Sequence, residues 1–153
     1  MNIKGIKASC MAAIASFTVA LAPVAEARTA GAYGFAKSAV FADGACFSEW
    51  FDATINNCTA NKRITLPSMV DGGNQWYGVI VNARGAGPAN NVGCYAQSVT
   101  KDINTFWASA TVYLSMFGPA VDIGPLWTWV PQDGTLHTYC FVDPGAQVNS
   151  YRW

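Results

Sequence analysis

Hydrophobic and polar residues alternate along most of the chain, and the alternation has the period of a β-strand rather than that of a helix. The clearest case is Trp76–Arg84, in which Tyr77, Val79, Val81 and Ala83 share one side and the residues between them share the other. This pattern predicts a strand that is buried on one face only.

Two further segments alternate in the same way. In Phe106–Ser115 the even-numbered residues form an apolar face, with Trp107 and Tyr113 on the opposite face, and Thr135–Val142 follows the same rule. Weaker strands are predicted at Ala39–Ala42, Arg63–Leu66, Val92–Ser98, Leu126–Val130 and Gln147–Arg152.

Clusters of glycine, proline, asparagine and aspartate separate these segments, as in Gly85–Pro88 and Asp143–Gly145. Such residues end strands because glycine permits positive φ and proline removes a backbone donor. Only Phe47–Ala53 is predicted to form a short helical turn. About eight short strands in one small chain indicate an all-β protein, a two-sheet antiparallel β-sandwich.

The N-terminus has a different pattern, which is typical of a secretory signal peptide. Lys4 and Lys7 precede an apolar run at Cys10–Leu21, and the small-residue triplet Ala25–Ala27 follows it. The run is too short to span a bilayer, which needs about 20 apolar residues. We therefore predict a cleaved signal peptide at residues 1–27, a secreted or periplasmic protein, and no membrane span after cleavage.

Removing 27 of the 153 residues leaves 126, which is the size of a single domain. Residues 28–37 are small and glycine-bearing, and they predict a flexible leader. The single β-sandwich domain is then expected at residues 38–153.

Four cysteines follow the predicted signal peptide, and in an exported chain an even number of them indicates disulfides. Three pairings are possible. We favour Cys46–Cys58, which closes a short local loop, and Cys94–Cys140, which joins two predicted strands. A zinc site is the alternative, but the spacings match no zinc template and His137 is the only histidine.

Charge and motifs narrow the range of partners. The chain carries nine basic and nine acidic residues without a basic stripe, so nucleic-acid binding is not expected. No calcium-binding loop motif occurs around Asp71, Asn74, Asp122 or Asp133. We expect neither a metal nor a cofactor.

Two groupings could support catalysis. His137 could serve a serine hydrolase, although no G-x-S-x-G motif accompanies it, and a solvent-facing strand residue is the commoner role for a lone histidine. Glu49 and Asp52 would share a face of the predicted helical turn and could act as a glycosidase acid and base. Turn capping explains the same two residues. The sequence leaves enzymatic activity uncertain and favours its absence.

The tryptophans are the most informative residues for function, since all six follow the predicted signal peptide. Trp127 and Trp129 are two positions apart on one strand, so their side chains project from the same face about 7 Å apart. Together with Trp107 and Tyr113 they could form an exposed aromatic platform for a ligand. The commoner alternative is that the tryptophans fill the core of the sandwich.

Several short segments carry a resemblance to a known group of proteins, namely WYGVIVNARG, NNVGCYAQS, TVYLSMFG, LHTYCFVDP and VNSYRW. From Cys46 to Arg152 the chain resembles small secreted bacterial proteins that are frequent among myxobacteria and their relatives. In those proteins a strand precedes a cysteine, a late aromatic-x-Cys-x-x-Pro segment carries another, and the chain ends near SYR. The resemblance implies a disulfide-linked β-domain without an established activity.

These observations favour a secreted, non-catalytic binding or surface-associated domain. Its partner is unknown; a polysaccharide or another cell-surface component is the candidate, bound through exposed aromatic side chains. A small secreted hydrolase and a self-associating extracellular structural subunit remain the alternatives. The position of the six indole rings separates a core role from a binding role.

Overall fold

The computed structural model describes residues 28–31, 43–71 and 73–153. The predicted signal peptide and the predicted strand Ala39–Ala42 lie outside the described residues. Within them the chain forms eleven strands and one short 3-10 turn at Gly44–Cys46. The strands are β1 Thr29–Gly31, β2 Phe47–Trp50, β3 Ala53–Asn56, β4 Lys62–Ser68, β5 Gln75–Arg84, β6 Val92–Val99, β7 Phe106–Ala108, β8 Val112–Tyr113, β9 Val121–Val130, β10 Thr135–Val142 and β11 Gln147–Arg152.

The strands form two antiparallel sheets, which confirms the predicted two-sheet sandwich. Sheet A has the order β2-β3-β11-β5-β9, with β1 pairing with the end of β11 beyond β3. Sheet B has the order β4-β10-β6, and β7 and β8 both pair with β6. The sandwich contains more strands than the eight predicted.

The core lies between the two sheets and consists of the apolar residues that alternate along the long strands. The face of β5 that was predicted to be apolar is buried at Val79, Val81 and Ala83, and Tyr77 is partly buried. Full burial of such a side chain stabilises the fold by roughly 1.5–3 kcal/mol. Sheet B contributes Ile64, Leu66, Val92, Cys94, Ala96, Leu136, Cys140 and Val142.

Both predicted disulfides are present. Cys94 lies directly opposite Cys140 in the pairing of β6 with β10, so this bond joins the two central strands of sheet B. Cys46–Cys58 joins the residue before β2 to a residue after β3. Each bond lowers the entropy of the unfolded chain, and the longer loop has the larger effect.

The segment Phe47–Ala53 forms a hairpin, so the predicted helical turn is wrong. Strand β2 pairs with β3 from Phe47 opposite Asn56 onwards, and residues 51–52 form the connecting turn. The Cys46–Cys58 disulfide closes the open end of this hairpin. A local helical pattern of polar residues is overridden here by strand pairing and by the covalent bond.

The predicted strand Phe106–Ser115 is interrupted, and its predicted faces are wrong in the first half, whereas Leu114 is buried and Tyr113 exposed as predicted. The Ser109 hydroxyl accepts a hydrogen bond from the Ala96 N–H and donates one to the Ala110 carbonyl, at 3.0 Å in each case. A side chain thus replaces part of the backbone ladder, and the strand divides into β7 and β8. Phe106, predicted to be buried, is 66% exposed.

Of the predicted flexible leader, residues 28–31 are ordered in a strand pairing, and residues 32–37 lie outside the described residues. Residues 29–31 form β1, which pairs with β11. The N–H groups of Arg28 and Trp153 each donate to the other residue's carbonyl, at 2.9 and 3.0 Å. The Arg28 guanidinium also forms an ion pair with Asp71. This segment is therefore part of sheet A.

Candidate functional site: the outer face of sheet A

None of the six tryptophans is fully buried, although Trp153 is partly buried against the core, so the interpretation that all six fill the core is wrong. Trp50, Trp76 and Trp127 are 62%, 61% and 55% exposed, and the other three are partly exposed. Large aromatic rings bury 150–250 Å² each when they enter a core. Filling the core therefore does not explain the three exposed rings.

Trp127 lies across a neighbouring strand on the outer face of sheet A. Its register partner on β5 is Gly78, and three atoms of its six-membered ring come within 3.0–3.1 Å of the point that a Cβ atom on Gly78 would occupy. The absence of a side chain on Gly78 thus allows the indole to cover the β5 backbone. More than half of the Trp127 surface stays open to solvent.

A pair of indoles lies one row further along the same two strands. Trp76 on β5 is opposite Trp129 on β9, with ring centroids 5.9 Å apart and an interplanar angle of 72°. This edge-to-face geometry is a favourable one for aromatic rings. Trp76, Trp127 and Trp129 together form what we call the indole cluster.

A row of hydrogen-bonded polar side chains lies on the same outer face, further along β5. Asn82 donates to the Asp122 carboxylate at 2.8 Å and accepts from the Asn149 amide at 2.8 Å. Arg152 donates to the second oxygen of Asp122 at 2.7 Å. We call Asn82, Asp122, Asn149 and Arg152 the polar row.

The Asp122 carboxylate is the negative charge of this row. The hydrogen bond from Asn82 lowers its pKa most, and the hydrogen bond and positive charge of Arg152 lower it further. Asp122 is therefore ionised at neutral pH, and Arg152 compensates its charge. The polar row offers fixed hydrogen-bonding groups while its two charges cancel.

An irregularity in β9 separates the indole cluster from the polar row. The pairing of β5 with β9 shifts between Val79 and Val81, where Gly124 and Pro125 follow one another. Gly124 has a φ of +120°, and a Cβ there would come within 2.6 Å of the Val79 carbonyl oxygen. Only glycine accommodates both the conformation and this close approach.

Two of the four residues predicted to bind a ligand come together in this cluster, and two do not. Trp127 and Trp129 share the outer face of sheet A. Tyr113 lies opposite Gly93 on the outer face of sheet B, whereas Trp107 lies opposite the buried Ser98 on the inner side of sheet B. These two were predicted to share one face.

The reason for this difference is a one-residue insertion. Trp107 and Tyr113 are six positions apart, but their partners Ser98 and Gly93 on β6 are five apart. One extra residue changes the face on which every following side chain lies. The change cannot be read from the alternation of the segment alone.

Trp76 and Gly78 were not among the predicted binding residues, although the sequence contains a signal for both. The alternation of Trp76–Arg84 places them on the polar face of the strand. A tryptophan on such a face is exposed unless another element covers it. Their pairing with Trp129 and Trp127 depends on the register between β5 and β9.

The two groupings considered for catalysis lie in different sheets, His137 in sheet B and Glu49 with Asp52 in the β2–β3 hairpin of sheet A. His137 is half-buried on the outer face of sheet B, and its Nδ1 has no hydrogen-bond partner among the described residues. Burial lowers the pKa of this imidazole. Glu49 is exposed in β2, and Asp52 is exposed in the turn that follows, so the two do not share a helical face.

Neither a metal site nor a membrane-spanning helix is found within residues 28–31, 43–71 and 73–153. No group of three or more histidine, cysteine, aspartate or glutamate residues is arranged to hold a metal ion there. No helix in this part of the chain is long and apolar enough to cross a membrane.

Comparison of the chain with protein-family models, with curated proteins and with solved structures finds no match. The site itself is therefore the basis for a functional proposal.

Proposed function

We propose that this protein is an exported, non-catalytic domain that binds a neutral polysaccharide on the outer face of sheet A. The exposed indole cluster is the observation that carries this proposal. The two disulfides support export, because such bonds persist in oxidising compartments. We also propose that the chain is related to the small secreted bacterial disulfide proteins that its short segments resemble.

The indole cluster suits the apolar side of a sugar. The C–H groups of a pyranose ring pack on an aromatic face, whose quadrupole is negative. Trp127 offers such a face because it lies over Gly78 and is open to solvent. Trp129 and Trp76 extend the aromatic surface to a second position along the strands.

The polar row suits the hydroxyl groups of the same ligand. Its amide, carboxylate and guanidinium groups are already fixed by hydrogen bonds to one another, so binding orders few additional side chains. Because Asp122 and Arg152 form an ion pair, the row presents no uncompensated charge. This favours an uncharged glycan over an acidic or a basic one.

Binding of the purified, processed protein to a panel of neutral polysaccharides tests the proposal. We expect Trp127→Ala and Trp129→Ala to lower the affinity at least about tenfold, which corresponds to about 1.4 kcal/mol, since tryptophans are enriched among the residues whose truncation costs most. Trp50→Ala is the matched control. Trp50 is as exposed as Trp76, but it lies at the opposite edge of sheet A, on β2.

The expected result for Trp50→Ala is an affinity within about twofold of that of the wild type. The proposal is overturned if no neutral polysaccharide binds, or if Trp50→Ala weakens binding as much as Trp127→Ala does. Urea unfolding of each variant checks that the fold is retained. We expect it to be retained, because all of these side chains lie outside the core.

A further inference from the structure

The outer face of sheet B repeats the arrangement that characterises the indole cluster. Tyr113 on β8 lies opposite Gly93 on β6, and its ring occupies the space that a Cβ atom on Gly93 would need, with ring atoms 2.4–2.9 Å from that point. Tyr113 is 56% exposed. Both sheets therefore carry, on the outer face, an aromatic ring that covers a glycine of the neighbouring strand.

Aromatic side chains continue across this sheet from Tyr113. Phe141 on β10 is also opposite Gly93, and Tyr95 stacks on both Phe141 and Tyr139, with ring centroids 6.0 and 5.2 Å apart. These three rings are partly exposed. Three stacked rings on β6 and β10, together with Tyr113 on β8, thus place aromatic side chains on three neighbouring strands of this face.

Arg63 on β4 ends this surface. It lies opposite Phe141, so Arg63, Phe141, Gly93 and Tyr113 form one row across the sheet. Three strand spacings separate Arg63 from Tyr113, about 14 Å. The guanidinium carbon lies 5.4 Å from the centre of the Tyr139 ring, a cation–π distance.

No carboxylate of the described residues forms an ion pair with Arg63. The nearest one by register, Asp143, accepts hydrogen bonds from the Asn61 amide at 2.6 Å and from the Asn91 N–H at 3.0 Å. His137 on the same face is neutral at pH 7, because burial lowers its pKa. Among the described strand residues of this face, Arg63 is therefore the one positive charge, in a planar form that suits a carboxylate.

We propose that the outer face of sheet B is a second glycan-binding site, specific for an acidic polysaccharide whose sugar rings pack on Tyr113 and whose carboxylate pairs with Arg63. The charge complementarity of Arg63 distinguishes this site from the polar row of sheet A, whose two charges compensate each other. It does not depend on the function proposed for the indole cluster. A protein with both sites would join two different polysaccharides, because the sites lie on opposite faces of the sandwich.

Binding to polygalacturonate and to alginate, with methyl-esterified polygalacturonate as the uncharged control, tests this proposal. We expect the wild type to bind at least one of the two acids, and to bind the ester at least about tenfold more weakly than polygalacturonate if that acid is bound. Arg63→Gln and Tyr113→Ala should each lower the affinity for the acid about tenfold or more. Arg63→Lys keeps the charge but loses the bidentate geometry, so an intermediate loss is expected.

Two further variants are controls for binding of the acidic polysaccharide. Lys101→Gln removes an exposed positive charge from a loop and should change the affinity less than twofold. Trp127→Ala should leave binding of the acid unchanged, so failure of one site is distinguishable from failure of the other. The proposal is overturned if neither acid binds, if the ester binds as well as polygalacturonate, or if Lys101→Gln weakens binding as much as Arg63→Gln does.

Discussion

Trp127 covers Gly78, and the two residues meet only because β5 and β9 pair in one particular register. The glycine removes the side chain that would otherwise lift the indole from the sheet. The indole in turn shields a stretch of strand backbone that would otherwise face solvent. The same relationship between Tyr113 and Gly93 on the other sheet indicates that both outer faces are built around flat aromatic rings.

A side chain at position 78 should therefore disturb the indole cluster without damaging the core. We expect Gly78→Val to displace Trp127, to shift the tryptophan fluorescence and to lower polysaccharide affinity about fivefold or more, which corresponds to about 1 kcal/mol. Gly87→Val is the control, since a Cβ atom on Gly87 meets nothing within 4 Å. Unchanged fluorescence and affinity in Gly78→Val would contradict the described packing.

Asn56 should be essential for stability, because it is completely buried and joins three parts of the chain. Its amide donates to the carbonyls of Val142 and Ala60 at 2.7 and 2.9 Å, and its Oδ1 accepts from the Cys58 N–H at 2.9 Å. Asn56→Leu should lower the free energy of unfolding by about 3 kcal/mol, since it leaves buried groups unpaired. The exposed neighbour Asn57 provides the comparison: Asn57→Leu should change stability by less than about 0.5 kcal/mol in the same urea titration.

The two disulfides should differ in their contribution to stability. The bridged cysteines are 46 positions apart for Cys94–Cys140 and 12 apart for Cys46–Cys58. The chain-entropy relation predicts losses of about 4 and about 3 kcal/mol when each pair is replaced by alanine. Denaturant unfolding of the two double variants measures the order, and a greater loss for the shorter loop would be inconsistent with the entropic explanation.

Tyr151 should make the fold sensitive to alkaline pH. Its hydroxyl donates to the Pro67 carbonyl across the two sheets, and burial raises its pKa to about 12. Between the unfolded value near 10 and the folded value, the folded state binds more protons than the unfolded state, so stability falls as pH rises. Below pH 10 this contribution is fully present.

Tyr151→Phe should lower stability at neutral pH by about 1 kcal/mol, since one hydrogen bond is lost. It should also reduce the slope of unfolding free energy against pH between pH 10 and 12. Tyr139→Phe serves as the comparison, because burial also raises the pKa of Tyr139, which lies on an outer face. A slope that Tyr151→Phe leaves unchanged would mean that Tyr151 is not the group responsible.

Much of the fold followed from local patterns. The alternation in Trp76–Arg84 and in Thr135–Val142 predicts strands that the structure contains as β5 and β10. An alternating segment has only one way to bury its apolar face, so the pattern is sufficient there. The positions of the cysteines likewise led to the observed pairs. Cys94 and Cys140 each lie within a segment predicted as a strand, and the observed disulfide joins these two strands.

Tertiary structure alone decided which aromatic residues share a surface. The extra residue between Trp107 and Tyr113 reverses the face of the following side chains, and only the pairing with β6 reveals it. The contact of Trp127 with Gly78 joins residues that are distant in the chain, and it depends on the register between strands. The sequence by itself determined that the chain forms one-sided strands joined by two disulfides. It did not determine that Trp76 and Trp127 stay exposed, because an indole that alternation places on an outer face can still be covered by another element. Only the packed sheets show that none of the described elements buries these two rings.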